Sequence, residues 1–367
     1  MTSRTKAVLW GRQPGTAHAF IPVLRQLKRS RPAVSFEVIG TDLAIDAFRA
    51  NDISVTPVDE FAEATAVLDG HDSVDLLLTG TSLEVQEDAQ YWRWAKENDI
   101  ASVAFVDNWC NYWQRFSTSP DCRFDATPDR IAVIDELLRR RMIQQGAPAD
   151  RVVVSGDPRL ALLREKSIPR RDIRRKLGLN PNDVLLAFVA EPLSTAYADP
   201  EGRLGYDEWE ALAAVISAAD CLQETQHPTV YLTVRPHPRE PADKYASFVA
   251  ERTESCQIVD TTAIVDQHRL VGTSDVVFGM HSMLLYESTV LGTPAVSLRP
   301  DNKATSDLVD GHDVIHCADN PRQAVDIVLS AHHNGQPAEQ APTHPASIDD
   351  FIDVVFAPLN QHQNIPT

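Results

Sequence analysis

Residues 273–300 read TSDVVFGMHSMLLYESTVLGTPAVSLRP. Val276, Val277 and Phe278 form a short apolar run suited to a buried strand. Gly279 lets the backbone turn sharply after it. His281 or Ser282 can cap a helix over 283–291, and Gly292 stops that helix. Thr293-Pro294 leads into a second short strand over 295–298. The stretch therefore predicts strand, glycine turn, helix, glycine stop and strand. Free N–H groups at the start of such a helix can hold an anion, phosphate above all. Glu287 lies one to two turns into the helix, within reach of a sugar hydroxyl. Without a ligand, the same residues make an ordinary βαβ unit with a solvated Glu287 and a capping Ser282.

Working outward, residues 231–240 read YLTVRPHPRE. An alternating apolar strand runs straight into Arg235-Pro236-His237-Pro238. The two prolines fix φ on either side of His237 and exclude helix. A guanidinium and an imidazole are thereby held at the C-terminal end of a strand, where open α/β sheets bind their ligands. Arg235 presents a forked set of donors to a phosphate. The alternative is a proline-rich loop carrying a surface His237.

These two stretches together resemble the C-terminal half of GT-B glycosyltransferases. There a basic-x-His-Pro motif ends one strand. Further on come Ser-Asp, here Ser274-Asp275, a strand, a Ser, and a helix carrying Glu and Leu-Gly-x-Pro, here Glu287 and Leu291-Gly292-Thr293-Pro294. The pattern is nearest to bacterial surface-polysaccharide enzymes: CDP-glycerol glycerophosphotransferases, capsule polysialyltransferases and Kdo transferases. UDP-N-acetylglucosamine 2-epimerases share the fold and part of the pattern. The resemblance spans residues 156–298; the N-terminal half matches in layout alone. It implies two facing Rossmann-like doubly wound domains with a cleft between them. One departure is that Gly279-Met280-His281-Ser282 stands where those families often carry an Asp-Tyr-Ser-Ser type sequence, which leaves the base of the donor nucleotide open.

The rest of the chain alternates strands and helices in the same way. Residues 6–10 read as a first strand, followed by the glycine-bearing turn Gly11 to His18 and a helix over 20–28. A turn at this place is a common ligand position in a doubly wound sheet, although it lacks the GxGxxG spacing. Thr79, Thr81 and Ser82 end a fourth strand and are read as caps for the next helix. Residues 101–107 make a fifth strand, and Asn108, Trp109, Asn111, Tyr112, Trp113 and Arg115 crowd behind it. Aromatic faces beside amide and carboxylate groups suit sugar or nucleobase contacts. The alternative is a buried aromatic plug with Asp107 as a turn residue. Ser155-Gly156-Asp157-Pro158-Arg159 resembles the exit from the first GT-B domain. The boundaries predicted are a first domain over 1–160, a connection over 161–180, a second domain over 181–345, and a last helix within 346–367 that crosses back to the first domain. The connection is rich in arginine (Arg170, Arg171, Arg174, Arg175), which suits a solvated face or contact with an anionic acceptor or a membrane surface. A long loop before Tyr206 has the length of a lid.

Composition narrows the partners. The chain has 367 residues, 52 acidic against 34 basic, and a net charge of −18. Such a surface argues against general affinity for nucleic acid or anionic membranes. The five cysteines are scattered without a CxxC pair, which suits reduced thiols and no zinc site. No apolar run reaches the length of a membrane span and no signal-type apolar segment opens the chain, so a cytoplasmic protein is expected.

The resemblance implies a donor-binding set of Arg235, His237, His281, Ser282 and Glu287, with Arg235, His237 and the helix start on phosphate and Glu287 on ribose. It implies an acceptor side near Gly15, Asn108, Trp109 and Arg115. A transferase of this kind needs a base for the acceptor hydroxyl; Asp107 is the first candidate and His18 the second, while His237 and His281 can meet phosphate or the departing oxygen. The substrate expected is a nucleotide-activated sugar or polyol, with the cytidine-using families (CMP- or CDP-linked donors) as the nearer pattern. No Asp-x-Asp cluster is present, so neither metal nor other cofactor is expected. Two alternatives stay open: a UDP-sugar 2-epimerase-like enzyme, and a nucleotide-sugar-binding protein without catalysis.

Overall fold

The computed structural model describes residues 5–69, 74–82, 87–195, 205–225, 229–300, 309–334 and 347–362. The loop read as a lid falls largely on residues 196–204, outside the described residues. The chain forms two compact units, residues 1–162 with 344–367, and residues 163–343.

The first unit holds β1 (Lys6–Gly11), β2 (Ser35–Gly40), β3 (Thr56–Pro57), β4 (Leu76–Thr79), β5 (Ala101–Val106), β6 (Arg130–Val133) and β7 (Val152–Val154). They form one parallel sheet in the order β3-β2-β1-β4-β5-β6-β7. β5 is buried along its whole length, as expected of a strand covered by helices on both faces. The strand order reverses between β1 and β4. The Ile348–His362 helix packs on this unit: Phe351 meets Phe20 and Phe105 edge-on, with ring centroids 5.9 and 5.2 Å apart. Gln26 and Arg31 tie it down through Asp349 and Asp353.

The second unit holds β8 (Val184–Val189), β9 (Val230–Arg235), β10 (Gln257–Ile258), β11 (Val276–Gly279), β12 (Ala295–Leu298) and β13 (Ile315–Ala318). Its parallel sheet runs β10-β9-β8-β11-β12-β13 and reverses between β8 and β11. Val189 pairs with Arg235, and Phe188 with Phe278. β8, β9 and β11 therefore end at one level, with the open edge between β8 and β11. Ligands of doubly wound sheets settle at this reversal. The core beneath is Phe188, Phe278, Leu212, Val215, Ile216 and their neighbours.

Two expectations need correction. The first long helix begins at Pro14, not near Phe20, and spans Pro14–Ser30. Proline suits the first helical position, because its missing N–H has no intrahelical partner there anyway. Gly15 and His18 are thus helical residues, not members of a turn. Within the connection, residues Arg170–Lys176 form the expected helix, but two of its arginines are not a simple solvated face. Arg170 and Arg174 both pair with Asp275, whose carboxylate takes the Leu185 backbone N–H at 2.7 Å. Two of the arginines that suggested an anion-facing surface are spent inside the second unit.

Candidate functional site

The residues flanking the β8/β11 reversal enclose a pocket of about 420 Å³. Its walls include Ala190 from the end of β8, Arg235, Pro236 and His237 from the end of β9, and Ser282, Met283, Leu284 and Glu287 from the helix after β11. Four of the five predicted donor-binding residues, Arg235, His237, Ser282 and Glu287, line this one pocket.

Each is held by its surroundings. Arg235 donates through Nη2 to the Val265 carbonyl, and its buried Nε has no hydrogen-bond partner. Burial lowers its pKa, and Asp260 and Asp266 act against that; a guanidinium remains a cation regardless. His237 accepts the Arg239 backbone N–H on Nδ1 at 3.2 Å, which leaves Nε2 as the protonated nitrogen of a neutral ring. Burial and the nearby Arg239 lower its pKa, opposed by Glu240. The loop carrying it is braced from below. Glu240 accepts the His237 backbone N–H at 2.9 Å, and Lys244 bridges Glu240 and Glu208 at 2.6 and 2.7 Å. Glu287 meets His268 Nε2 at 3.0 Å, which fixes its rotamer toward the pocket wall.

The Met283–Val290 helix starts as its sequence suggests, with Ser282 Oγ accepting the Leu284 N–H at 3.2 Å. Gly292, at φ +79°, ends it, a conformation that favours glycine. Two predicted contacts fail here. His281 does not line the pocket; its Nε2 lies 3.0 Å from the Tyr206 hydroxyl. Burial and the nearby Arg299 lower its pKa to about 4, so the ring is neutral and turned inward. The helix start that was expected to meet phosphate is also shared with one of the protein's own carboxylates. Glu191, just past β8, accepts the His281 N–H at 2.6 Å, and the adjoining Met280 and Ser282 amides also favour its charged form. Burial raises the Glu191 carboxyl to about 7, against the lowering effect of those three donors.

In the first unit, Asp107 follows β5 with its side chain 24% exposed. Arg115 and Arg159 approach its two carboxylate oxygens at 3.8 and 4.0 Å. Arg159 is itself clamped on Asp157, Nη2 to Oδ2 at 2.6 Å, and donates to the Asp107 carbonyl at 3.2 Å. Gly15 abuts the carboxylate: a β-carbon there would stand 2.6 Å from Asp107 Oδ2. His18, one helical turn further on, is exposed, and partial burial with the charge of Arg159 lowers its pKa. Asn108 is half-buried beside Asp107. The remaining acceptor-side candidates are structural. Trp109 is fully buried and donates to Asp135 at 2.8 Å, the carboxylate that caps the Glu136–Gln144 helix through the Leu138 N–H. It cannot stack on a ligand. Arg115 is turned inward onto Thr81 Oγ1 at 2.8 Å and the Cys110 carbonyl at 3.2 Å. Thr81 serves that arginine, whereas Ser82 Oγ meets Asp88 on the next helix at 2.7 Å.

Sequence reading passed over Arg159 as a neighbour of Asp107, His268 as the partner of Glu287, and Glu191 as the group that meets the helix start. Glu191 carried a signal, a charged residue two positions past the end of a wholly apolar strand.

No protein-family model matches the chain, and no curated protein matches it. Solved structures do match over nearly its whole length. A UDP-N-acetylglucosamine 2-epimerase from Neisseria meningitidis, bound to UDP-GlcNAc, is 11% identical with a TM-score of 0.66, over 97% of this chain and 100% of its own. The Staphylococcus aureus MnaA–UDP structure is 12% identical with a TM-score of 0.65, over 99% of each chain. A glycosyltransferase from Rickettsia africae is 11% identical with a TM-score of 0.60, over 99% of this chain and 100% of its own. The chain therefore has the GT-B-type architecture of two doubly wound α/β units. Identities this low carry the fold and nothing finer.

Proposed function

We propose that the protein is a nucleotide-sugar enzyme: the β8/β11 pocket takes the nucleotide part of the donor, and the activated group is transferred to an acceptor hydroxyl. The observation that carries this reading is the arrival of Arg235, His237 and Glu287, distant in sequence, on one pocket at the strand-order reversal. Arg235, which lines the pocket, would meet a phosphate oxygen with its guanidinium. The Nε2–H of neutral His237 would donate to the same phosphate or to the departing oxygen, as catalysis needs where negative charge develops. Glu287, held by His268, would accept ribose hydroxyls. Asp107, at the strand end of the first unit, would take the proton of the acceptor hydroxyl. The reading includes independence from a metal, since Arg235 and His237 supply the charge stabilisation, and a cytidine donor, which the sequence pattern favours.

Epimerisation of a UDP-sugar is the second reading, and the likeness to epimerases along the whole chain favours it. It asks for carboxylates that serve both elimination and addition. Among the described residues around Asp107, Asp88, Asp135 and Asp157 are buried in hydrogen bonds to Trp10 and Ser82, Trp109 and Leu138, and Arg159. Asp107, flanked by Arg115 and Arg159, keeps a partly exposed carboxylate, which suits a single base and hence transfer.

The test is a thermal-shift titration with CMP, CDP, UMP, UDP and GDP on the wild type and Arg235→Ala. A ligand at a hundred times its Kd stabilises the folded state by about 2.7 kcal/mol. At least one nucleotide should raise the melting temperature of the wild type and fail to do so in Arg235→Ala. No response to any of them would sink both enzyme readings.

A further inference from the structure

The backbone amides ahead of the Met283–Val290 helix meet one of the protein's own carboxylates. Glu191 reaches from the end of β8 to the start of the Met283–Val290 helix and accepts the His281 backbone N–H at 2.6 Å, with the neighbouring Met280 and Ser282 amides favouring its ionised form. Successive amides at a helix start form a cup suited to a phosphate group. The cup lies beside the pocket, which Ala190 and Ser282, the neighbours of this contact, help to line. Gly279 makes the approach of β8 possible, because a β-carbon there would stand 2.9 Å from Val189 Cγ2.

What remains for a ligand is a small positive complement. Arg235 contributes one cation with a buried, unpartnered Nε. His237 contributes a neutral donor. The pocket's carboxylates already have partners, Glu287 in His268 and Glu240 in Lys244. A sugar linked through one phosphodiester brings a single negative charge, which Arg235 matches. A sugar linked through a pyrophosphate brings two, and the second phosphate would need the cup that Glu191 fills. Like charges brought together in a partly desolvated site are strongly unfavourable.

We propose that Glu191 is a specificity-determining residue: by occupying the amide cup it makes the β8/β11 pocket a single-phosphate site that selects nucleoside-monophosphate-linked donors over diphosphate-linked ones. This rests on the nucleotide reading above. Glu191 acts by excluding a phosphate, and takes no part in bond making.

The experiment is calorimetric titration of the full-length protein with CMP, CDP, UMP and UDP at about pH 8, where a carboxyl with a pKa near 7 is ionised. Wild type, Glu191→Gln and Glu191→Ala are compared, each by its own ratio of diphosphate to monophosphate affinity, so that a general loss of fold quality cancels. The wild type should bind the monophosphate of the preferred base at least as tightly as the diphosphate. Glu191→Gln, and more so Glu191→Ala, should shift the ratio toward the diphosphate by about tenfold or more, the scale of removing a repelling charge from a binding site. Diphosphate binding about tenfold tighter than monophosphate in the wild type would overturn the proposal, as would a ratio unmoved in both variants. Either result leaves the nucleotide pocket standing. Failure of every nucleotide to bind the wild type and both variants removes that pocket and this inference together.

Discussion

The Asp107 carboxylate rests against the α-carbon of Gly15, so close that a β-carbon would stand 2.6 Å from Oδ2. The contact has a consequence for turnover. Alanine at position 15, in the first turn of the helix, costs the helix nothing, yet it must push the carboxylate aside. Gly15→Ala should therefore melt near the wild-type temperature while losing transfer activity. Asp107→Asn should lower kcat by about two to four orders of magnitude, the usual worth of a general base, and leave nucleotide affinity unchanged. Steady-state kinetics paired with nucleotide titration checks both. Normal turnover in Asp107→Asn would remove this residue from the chemistry.

Glu287 is aimed by His268 at 3.0 Å, and the pair predicts a sugar-edge readout. A carboxylate that accepts ribose hydroxyls discriminates against a 2′-deoxynucleotide. Glu287→Gln should weaken ribonucleotide binding by roughly 1–3 kcal/mol, the cost of a charged hydrogen bond lost, and shrink the preference for ribo over deoxy ligand. His268→Ala should do the same to a lesser degree, since the carboxylate stays but its rotamer is released. Competition titrations with CMP and 2′-deoxy-CMP measure the preference. An undiminished preference in Glu287→Gln would place the ribose elsewhere.

What the sequence made legible was local. Gly279 and Gly292 punctuate a helix that the structure starts and stops within a residue of the reading, because glycine marks turns and left-handed caps. Arg235-Pro236-His237-Pro238 announces a strand end for the same kind of reason. Illegible features were those decided by partners far along the chain. Glu191 and His281 are 90 positions apart, and nothing in either neighbourhood names the other. Pro14-Gly15 looked like a turn because both residues break helices in mid-run, whereas the first turn tolerates them. Trp109 looked like a ligand platform because an aromatic cluster after a strand serves burial and recognition equally well, and only the Asp135 contact decides between them.

Asp275 is the keystone joining residues 170–176 to the sheet of the second unit. It receives Arg170, Arg174 and the Leu185 N–H, and Arg174 is itself buried. Asp275→Ala would leave Arg174 charged and buried without its main partner. Removing one member of such a pair costs roughly 3–5 kcal/mol. Urea denaturation should show a loss of that size, and hydrogen exchange should accelerate at the β8 amides, the Leu185 N–H above all. A loss below about 1 kcal/mol, the scale of an exposed ion pair, would show that the cluster is a surface ornament.

Glu191 and His281 should tilt the pH dependence of stability in opposite directions. The Glu191 carboxyl rises from 4.5 to about 7 on folding. Its contribution is therefore complete below about 4.5 and is lost as pH climbs through 7. His281 falls from 6.5 to about 4, so its contribution is complete above 6.5 and is lost as pH drops through 4. Each shift corresponds to roughly 3 kcal/mol across its window. In the wild type the two slopes largely cancel between 4.5 and 6.5, where the windows overlap. Tyr206, Arg299 and Asp310 surround this cluster and stay the same in both variants. Glu191→Gln should gain stability relative to wild type as pH rises through the upper part of the range, and His281→Gln should gain as pH falls through the lower part. Melting temperatures collected across the range for the three proteins decide the matter. Parallel curves would mean that neither group changes its protonation between the folded and unfolded states.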